Sequence, residues 1–598
     1  MKSKLLILTI IMLGCSFGSY SQNGKKVYAD YHGTRYTREH DGMLGRWSYY
    51  ADTGKSKTPT KRLCYNADII LENGRHDIAA VAYPLVGMQS ALDPEFIEYE
   101  ILTAKAAGID GFFIEWGFPE HESDLLLKAM QKVAKKYDFE IGVNWCDGWL
   151  YYDWITKINP KIKTREDKTA HFVKSLQYLI DNVLSVSTAP IVKDKPVIYM
   201  FGGGITNEEY SSAVKPDKFK IPKKSSFPLF FRRIAEWGEL VDNKYVPVPF
   251  NGEMDKWAAQ GMVPSPWIPA RVRKMDEQHP FWDQYGTCED AVTFFTPFKE
   301  EVWDNPKYPI KTGFVTPGMD NRGCAGWGHS HFYFISRNNG ETYDKLWQVN
   351  MANKENLDMI FIASWSDYTE GHEIEPTIEN GDRELRTTLK YASQFKEIQL
   401  DEAGLTLPQK LFELRKKAAF LKKCGQYIPR IESSLDKIAQ SLSRGKYDEA
   451  AKMLEEQDTK VAQQDAKIEK KTYNTSDDYF IRGKNIGEAL SVQDKVLIYL
   501  NTEAKEALKA NHFDGYITFE YLDEGTDGFK IYTSTNKEPK SLFSIVADIR
   551  FNKTNEWKKA KVRLYKSNVA LKATPDFTIS GKGKIRNMTL TFDVYTSK

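Results

Sequence analysis

Between residues 78 and 364, short apolar runs alternate with longer amphipathic stretches. The runs are IAAVAY (78–83), DGFFIEW (110–116), EIGVNW (140–145), PVIYMF (196–201), YVPVPF (245–250), AVTFFT (291–296), TGFVT (312–316) and DMIFIAS (358–364). Each has the length of a strand. The stretches between them carry helical spacing, as in PEFIEYEILTAKAA (94–107) and SDLLLKAMQKVAKK (123–136), and Asp93-Pro94 and Ser123 are good helix starts. Eight strands alternating with helices predict an α/β chain folded as a (β/α)8 TIM barrel, placed with an N-terminal extension in residues 22–400.

The pattern then changes twice. Residues 401–472 are rich in Lys, Glu, Gln, Ala and Leu, nearly free of Gly, and heptad-like in LFELRKKAAFLKKC and KYDEAAKMLEEQDTKVAQQ. This predicts a helical hairpin or short bundle. From Tyr473 to Lys598 the period becomes two, in VLIYL, YITFEYL, FKIYTST, LFSIVADI, AKVRLY and MTLTFDVY, which predicts an all-β sandwich.

Composition narrows the function. At 598 residues the chain is long enough for two or three domains. Lys2 and Lys4 precede the apolar run LLILTIIMLG and the small-residue pattern Ser19-Tyr20-Ser21, which predicts a secretory leader over residues 1–21 and an exported protein, periplasmic, at the cell surface or secreted. Lipidation at Cys15 is the lesser alternative. Losing that leader takes the 83 Lys and Arg to 81, level with the 81 Asp and Glu. A neutral chain lacks the basic footprint that nucleic acid requires. No later stretch approaches the ~18 apolar residues of a membrane span. The remaining cysteines, Cys64, Cys146, Cys288, Cys324 and Cys424, are odd in number and scattered, and signal neither a zinc site nor a disulfide scaffold. Asp523–Asp527 superficially looks like a calcium loop, but Ser534 stands where the closing Glu belongs. His329 and His331 form an HxH pair that reads as lining rather than metal ligation, so no metal is expected.

In a barrel the loops after the strands converge at one rim, where active sites form. Those positions here hold Glu115 and Trp116, Trp145 and Asp147, Tyr199, Asn251, Asp320 and Asn321, and finally Trp365, Asp367, Tyr368 and Glu370 in IFIASWSDYTEGHEIEPT. Carboxylates and amides mixed with flat rings suit a polyhydroxylated substrate. Glycoside cleavage needs two carboxyl groups about one bond. Asp367 and Glu370 are three apart, so a turn after the strand puts them on one side, and close like charges raise one pKa and leave a proton donor. An acidic cluster after a strand is by itself also consistent with a helix N-terminus or a solvated loop.

SWSDYTEGHEIEP resembles the strand-eight motif of glycoside hydrolase family 99 and its relatives, including family 71. PLVGMQSALDPEFIEYEILTAKAAGIDGFFIEWG is similar to their first βαβ unit, and VTPGMDN to the end of their seventh strand. The resemblance implies a glycosidase with Asp367 and Glu370 at the two catalytic positions. It also implies endo-α-mannosidase or endo-1,3-α-glucanase chemistry on an α-linked polysaccharide or oligosaccharide. No cofactor is expected, because two carboxylates suffice for glycoside cleavage. Asp367 departs from the family, which has Glu there, one methylene longer. FIRGKNIGEALSVQDKVLIYLN and PDFTISGKG look like β-sandwich modules appended to secreted carbohydrate enzymes, with Trp557, Asp576 and Phe577 at recurring positions. The first two expectations are therefore a hydrolase centred on Glu370 and Asp367, and a glycan-binding protein that has lost activity.

Overall fold

The computed structural model describes residues 24–597 except 52–63, 153, 224, 234–237, 242–243, 248–252, 270–271, 275–281, 296–297, 328–330, 475–479, 534–544 and 567–574. The expected leader, Asn251 and His329 lie outside the described residues. Eight parallel strands make the barrel: β1 (Lys26–Tyr31), β2 (Gly111–Trp116), β3 (Glu140–Trp145), β4 (Lys195–Met200), β5 (Leu229–Arg233), β6 (Val263–Ser265), β7 (Thr312–Val315) and β8 (Met359–Ile362). They pair in the order β6-β5-β4-β3-β2-β1-β8-β7. The first strand therefore closes the ring against the last, with Tyr28 opposite both Gly111 and Phe361. Between β6 and β7 no ladder is formed among the described residues, so the barrel is nearly closed. Aromatic rings fill its interior; Tyr199 stacks on Phe361 at 4.3 Å between centroids.

Five of the eight apolar runs are barrel strands, and three are not. Residues 78–83 form an irregular segment whose Ile78 packs with Leu44, Trp47 and Tyr368 under the loop that follows β8. Residues 291–296 fall largely in the helix Cys288–Phe294, which Thr287 and Asp290 close with reciprocal capping bonds. In the run 245–250, Lys244–Pro247 pairs antiparallel with Gly238–Val241 outside the barrel. Pro247 and Pro249 lack the N–H groups that an internal strand must donate. The places of these runs are taken by β1, β5 and β6.

The helices α1 (Pro94–Ala106), α2 (Ser123–Ala134), α3 (Arg165–Asn182), α4 (Glu341–Ala352) and α5 (Arg383–Lys396) cover the barrel. Asp93 caps α1 by accepting from the Glu95 N–H, with Pro94 at the first turn. The segment after residue 401 holds three helices: α6 (Leu407–Lys423), α7 (Pro429–Ser443) and α8 (Tyr447–Asp465). Pro429 restarts the chain after the first break and Gly445, at φ +70°, allows the second. Leu411, Leu435, Ile438 and Leu454 from these helices join the barrel's own apolar core, and Arg415 pairs with Glu98 of α1 at 2.5 Å.

Two antiparallel sheets, of seven and five strands, form the C-terminal sandwich around a separate core that includes Ile517, Phe519, Ile531, Ile549, Phe577 and Phe592. The seven-stranded sheet takes one strand from the N-terminal part of the chain, Ile69–Ile70, which pairs with Lys561 and Val562. Asn66 adds two bonds to the Arg550 backbone, and Asn552 two to the Cys64 backbone. Among the described residues no helix is long and apolar enough to cross a membrane.

Candidate active site

The turn after β8 carries the acidic motif, and its neighbours clamp it. The Asp320 N–H donates to the Glu370 carbonyl at 2.7 Å, and the Cys324 N–H to the Thr369 carbonyl at 3.1 Å. Gly371 sits at φ +64°, and a Cβ there would lie 2.6 Å from the Asp320 carbonyl oxygen. Only glycine suits both the backbone and the space.

Asp367 does not face the cleft. Its side chain is only 2% exposed. Its Oδ2 lies 3.0 Å from His32 Nδ1 and 3.4 Å from His372 Nε2, while its Oδ1 accepts from the Thr369 hydroxyl at 2.6 Å and the Glu370 N–H at 3.2 Å. Arg35, whose guanidinium lies over the Trp47 and Tyr368 rings and donates to the His32 carbonyl, approaches Oδ1 to 3.5 Å. Asp367 and Glu370 bring carboxylate oxygens within 4.8 Å of one another, but Asp367 is the buried centre of an ionic cluster and Glu370 its more exposed end.

That cluster is a line of alternating charge. Asp30 Oδ2 holds His32 Nε2 at 2.6 Å, and its Oδ1 accepts from Asn144 at 2.9 Å. His32 Nδ1 also lies 3.3 Å from Glu115 Oε2, which Arg46 meets at 2.6 Å. At the other end His372 Nε2 is 3.4 Å from Glu370 Oε2, and the Trp327 indole N–H donates to Glu370 Oε1 at 2.5 Å. Burial works against a charge on His32, but Glu115, Asp367 and Asp30 outweigh it and push its pKa up to about 10. His372 is likewise disfavoured by burial and raised by Asp367 and Glu370 to about 9. Burial favours neutral Asp367, yet His32 and His372 hold it well below the usual carboxylate range. Burial also opposes the charge on Glu115, and Arg46 and His32 reverse that and lower its pKa. Of the described carboxylates in this line, Glu370 keeps 24% of its side chain exposed and Glu115 11%.

Behind the cluster is a second acidic pair. Burial, and next the facing Glu375, raise Glu100 well above its ordinary value, and it accepts from Tyr31 at 2.8 Å and Trp365 at 3.2 Å. Burial raises Glu375 to about 8 and Glu373 to about 7.

Most residues expected to line the substrate are buried. Trp116 and Trp145 are fully buried; their indoles donate to Asp124 and to the Gly117 carbonyl, and Trp145 stacks on Phe172 at 4.2 Å. Tyr199 and Trp365 are also fully buried, and Tyr368 is 2% exposed against Trp47. Asp147 is buried and accepts from the N–H groups of Gly204 and Ile205. Asp320 pairs with Arg322 at 2.6 Å, and Asn321 binds the His331 carbonyl and Tyr333 N–H. A side chain at a strand's last position points either into the barrel or out to the helices, and a large ring there is drawn to the drier side. The sequence reading missed Arg46, His32, His372 and Trp327. Gly-Trp-Gly-His before β8's loop and the His in EGHEIE were visible signals: Trp327's partner Glu370 is 43 positions away, whereas His372's partners Asp367 and Glu370 lie in the same motif.

Asp367, Glu370 and His372 bring three possible metal-ligand atoms within 4.8 Å of one another. His372 Nε2 lies 3.4 Å from an oxygen of each carboxylate.

These features define a barrel with the partly exposed carboxylates Glu370 and Glu115 at the C-terminal ends of its strands. No family model matches the chain, and no curated protein matches it. Among solved structures it is similar to a GH99 endo-alpha-mannosidase from Bacteroides thetaiotaomicron, at 16% identity over 62% of this chain and 97% of that one, with a TM-score of 0.44. The same enzyme in complex with bis-tris propane matches at 15% identity, 62% and 97% coverage and a TM-score of 0.43. A glycoside hydrolase-like protein matches at 11% identity over 57% of this chain and 99% of that one, with a TM-score of 0.38.

Proposed function

We propose that this chain is an exported glycoside hydrolase that cleaves an α-linked polysaccharide or oligosaccharide. The observation that carries this reading is the pair Glu370 and Glu115: they stand, partly exposed, at opposite ends of one buried ionic line. Glu370 passes a proton, received from the protonated His372 beside its Oε2, to the leaving glycosidic oxygen as the C1–O bond breaks. Glu115, kept ionised by Arg46 and His32, takes the proton of the hydroxyl that attacks C1, whether from water or from the sugar itself. Asp367 acts through the histidines, fixing both carboxylates without touching the bond. No cofactor enters, because two carboxyl groups suffice. Export rests on the leader-like residues 1–21.

The burial of Asp367 favours a second reading, a glycan-binding protein without turnover. Reducing-end release from α-mannans and α-1,3-glucans, with Glu370→Gln and Glu115→Gln beside the parent, separates the two. Release by the parent that falls by about 10²–10⁴-fold in the variants supports hydrolysis. Saturable binding without release in all three proteins supports the second reading.

A further inference from the structure

The stretch after β3 leaves several large rings in water. Trp154 is 44% and Tyr152 56% exposed, while Trp149 and His121 are half-buried. Scattered exposed aromatics need no explanation, but contiguous ones do. Here the rings touch: His121 lies 4.9 Å from Trp149 and, nearly parallel, 6.3 Å from Trp154, with Trp149 and Trp154 5.7 Å apart. The surface is seated firmly. A Cβ on Gly117 would come within 2.9 Å of the Trp149 ring, so that ring rests directly on the backbone after β2.

Its edge is polar and joined to the carboxylates. The Arg46 guanidinium lies 5.6 Å from the centre of the Trp149 ring and pairs with Glu115 at 2.6 Å, with 34% of its side chain still exposed. One cation thus spans the gap between the rings and the ionic line. The geometry points to a sugar subsite in which Trp149, Trp154 and His121 stack on the apolar face of a pyranose while Arg46 donates to its hydroxyls. A pyranose has both halves of that complementarity, an apolar C–H face and hydroxyls around its edge, which an aliphatic ligand lacks. Burial and the neighbouring Arg46 push the His121 pKa down to about 4, so it presents a neutral ring above that pH. The sugar held here is the unit of the chain next to the one at Glu115 and Glu370. The name of that neighbour rests on the hydrolase reading; the stacking does not.

The test uses the full-length Glu370→Gln protein, so that binding is measured without turnover. Titration calorimetry with yeast α-mannan and with α-1,3-gluco-oligosaccharides compares it with the same protein carrying Trp154→Ala, Trp149→Leu or Trp154→Tyr. Circular dichroism melting checks folding. The expected result is about a tenfold loss of affinity in Trp154→Ala, a similar or larger loss in Trp149→Leu, and recovery in Trp154→Tyr, which keeps a ring. Unchanged affinity in folded Trp154→Ala, or no binding of either glycan by the parent, overturns the platform. Reducing-end release by the wild-type chain is followed separately. Binding lost in the variants with no release by wild type leaves the platform standing and removes the hydrolase. Release with unchanged binding does the reverse.

Discussion

Replacing His372 by Gln removes the ring between Asp367 and Glu370 while keeping most of its volume. The wild-type ring has its pKa pushed up to about 9 from 6.5. A raised folded-state pKa means that the folded chain binds more protons than the unfolded one, so this contribution is complete below about pH 6.5 and is lost as pH rises through about 9. A rise of about 2.5 pH units at ~1.4 kcal/mol each corresponds to about 3 kcal/mol. That is comparable to the ~3–5 kcal/mol cost of breaking a buried ion pair. Glu373 and Glu375 titrate in an overlapping range; Glu375 is common to both proteins and cancels, while the lowering that His372 exerts on Glu373 is part of what the difference reports. Urea unfolding followed by tryptophan fluorescence at pH 6.0, 7.5 and 9.5 is the assay. The variant is expected to be about 3 kcal/mol less stable at pH 6.0, and the gap to narrow steadily toward pH 9.5. Any packing defect adds a constant to all three values. A gap that does not change with pH refutes the claim that a buried imidazolium holds this cluster together.

Further outcomes follow from the same geometry. Asp367→Asn leaves two buried imidazolium groups without their shared counter-ion and is expected to cost about 3–5 kcal/mol by chemical denaturation. Trp145→Ala empties a fully buried site stacked on Phe172 and should cost about 3–5 kcal/mol, while glycan affinity at equal folded fraction stays unaltered. Gly323→Ala puts a Cβ 2.7 Å from the Thr369 carbonyl and 3.0 Å from that of Ala79; displacing the turn before Glu370, it should lower reducing-end release by about tenfold or more. Trp365→Phe strips a donor from Glu100 and should lower the unfolding free energy by about 1–3 kcal/mol.

The fold was legible where one strand's residues suffice to define it. β2, β3, β4, β7 and β8 are apolar runs bounded by polar turns, and the capped starts at Asp93 and Ser123 mark α1 and α2. β1 was hidden because its Asp30, buried against His32 and Asn144, breaks the apolar run. β6 was hidden because it is three residues long and contains Pro264. Residues 291–296 misled because a helix buried against the barrel is as apolar as a strand. In the site, Glu370 was singled out by its position after β8 and Glu115 by its position near the end of β2. The rings could not be sorted: Trp116 and Trp149 are both near strand ends, and only the tertiary packing sends one to the core and the other to solvent. His32 was opaque for a related reason. His32 acquires its meaning from Asp367, 335 positions away, and no local pattern announces such a partner.

The strand that residues 69–70 lend to the sandwich bears on how this chain could have been assembled. Most appended modules are cassettes, gained or lost by cutting at a linker. Here the chain enters the sandwich, returns to build the barrel, and comes back to finish the sheet. Tyr50 and Asn66 bond to the backbone of residues 548 and 550, and Tyr65 to that of Arg322 beside the mouth. A cut at residue 473 would strip an edge from one half and orphan a strand in the other. The two halves are therefore expected to be inherited together, and a grafted sandwich from another protein would need a new residue 64–70 segment before it could dock.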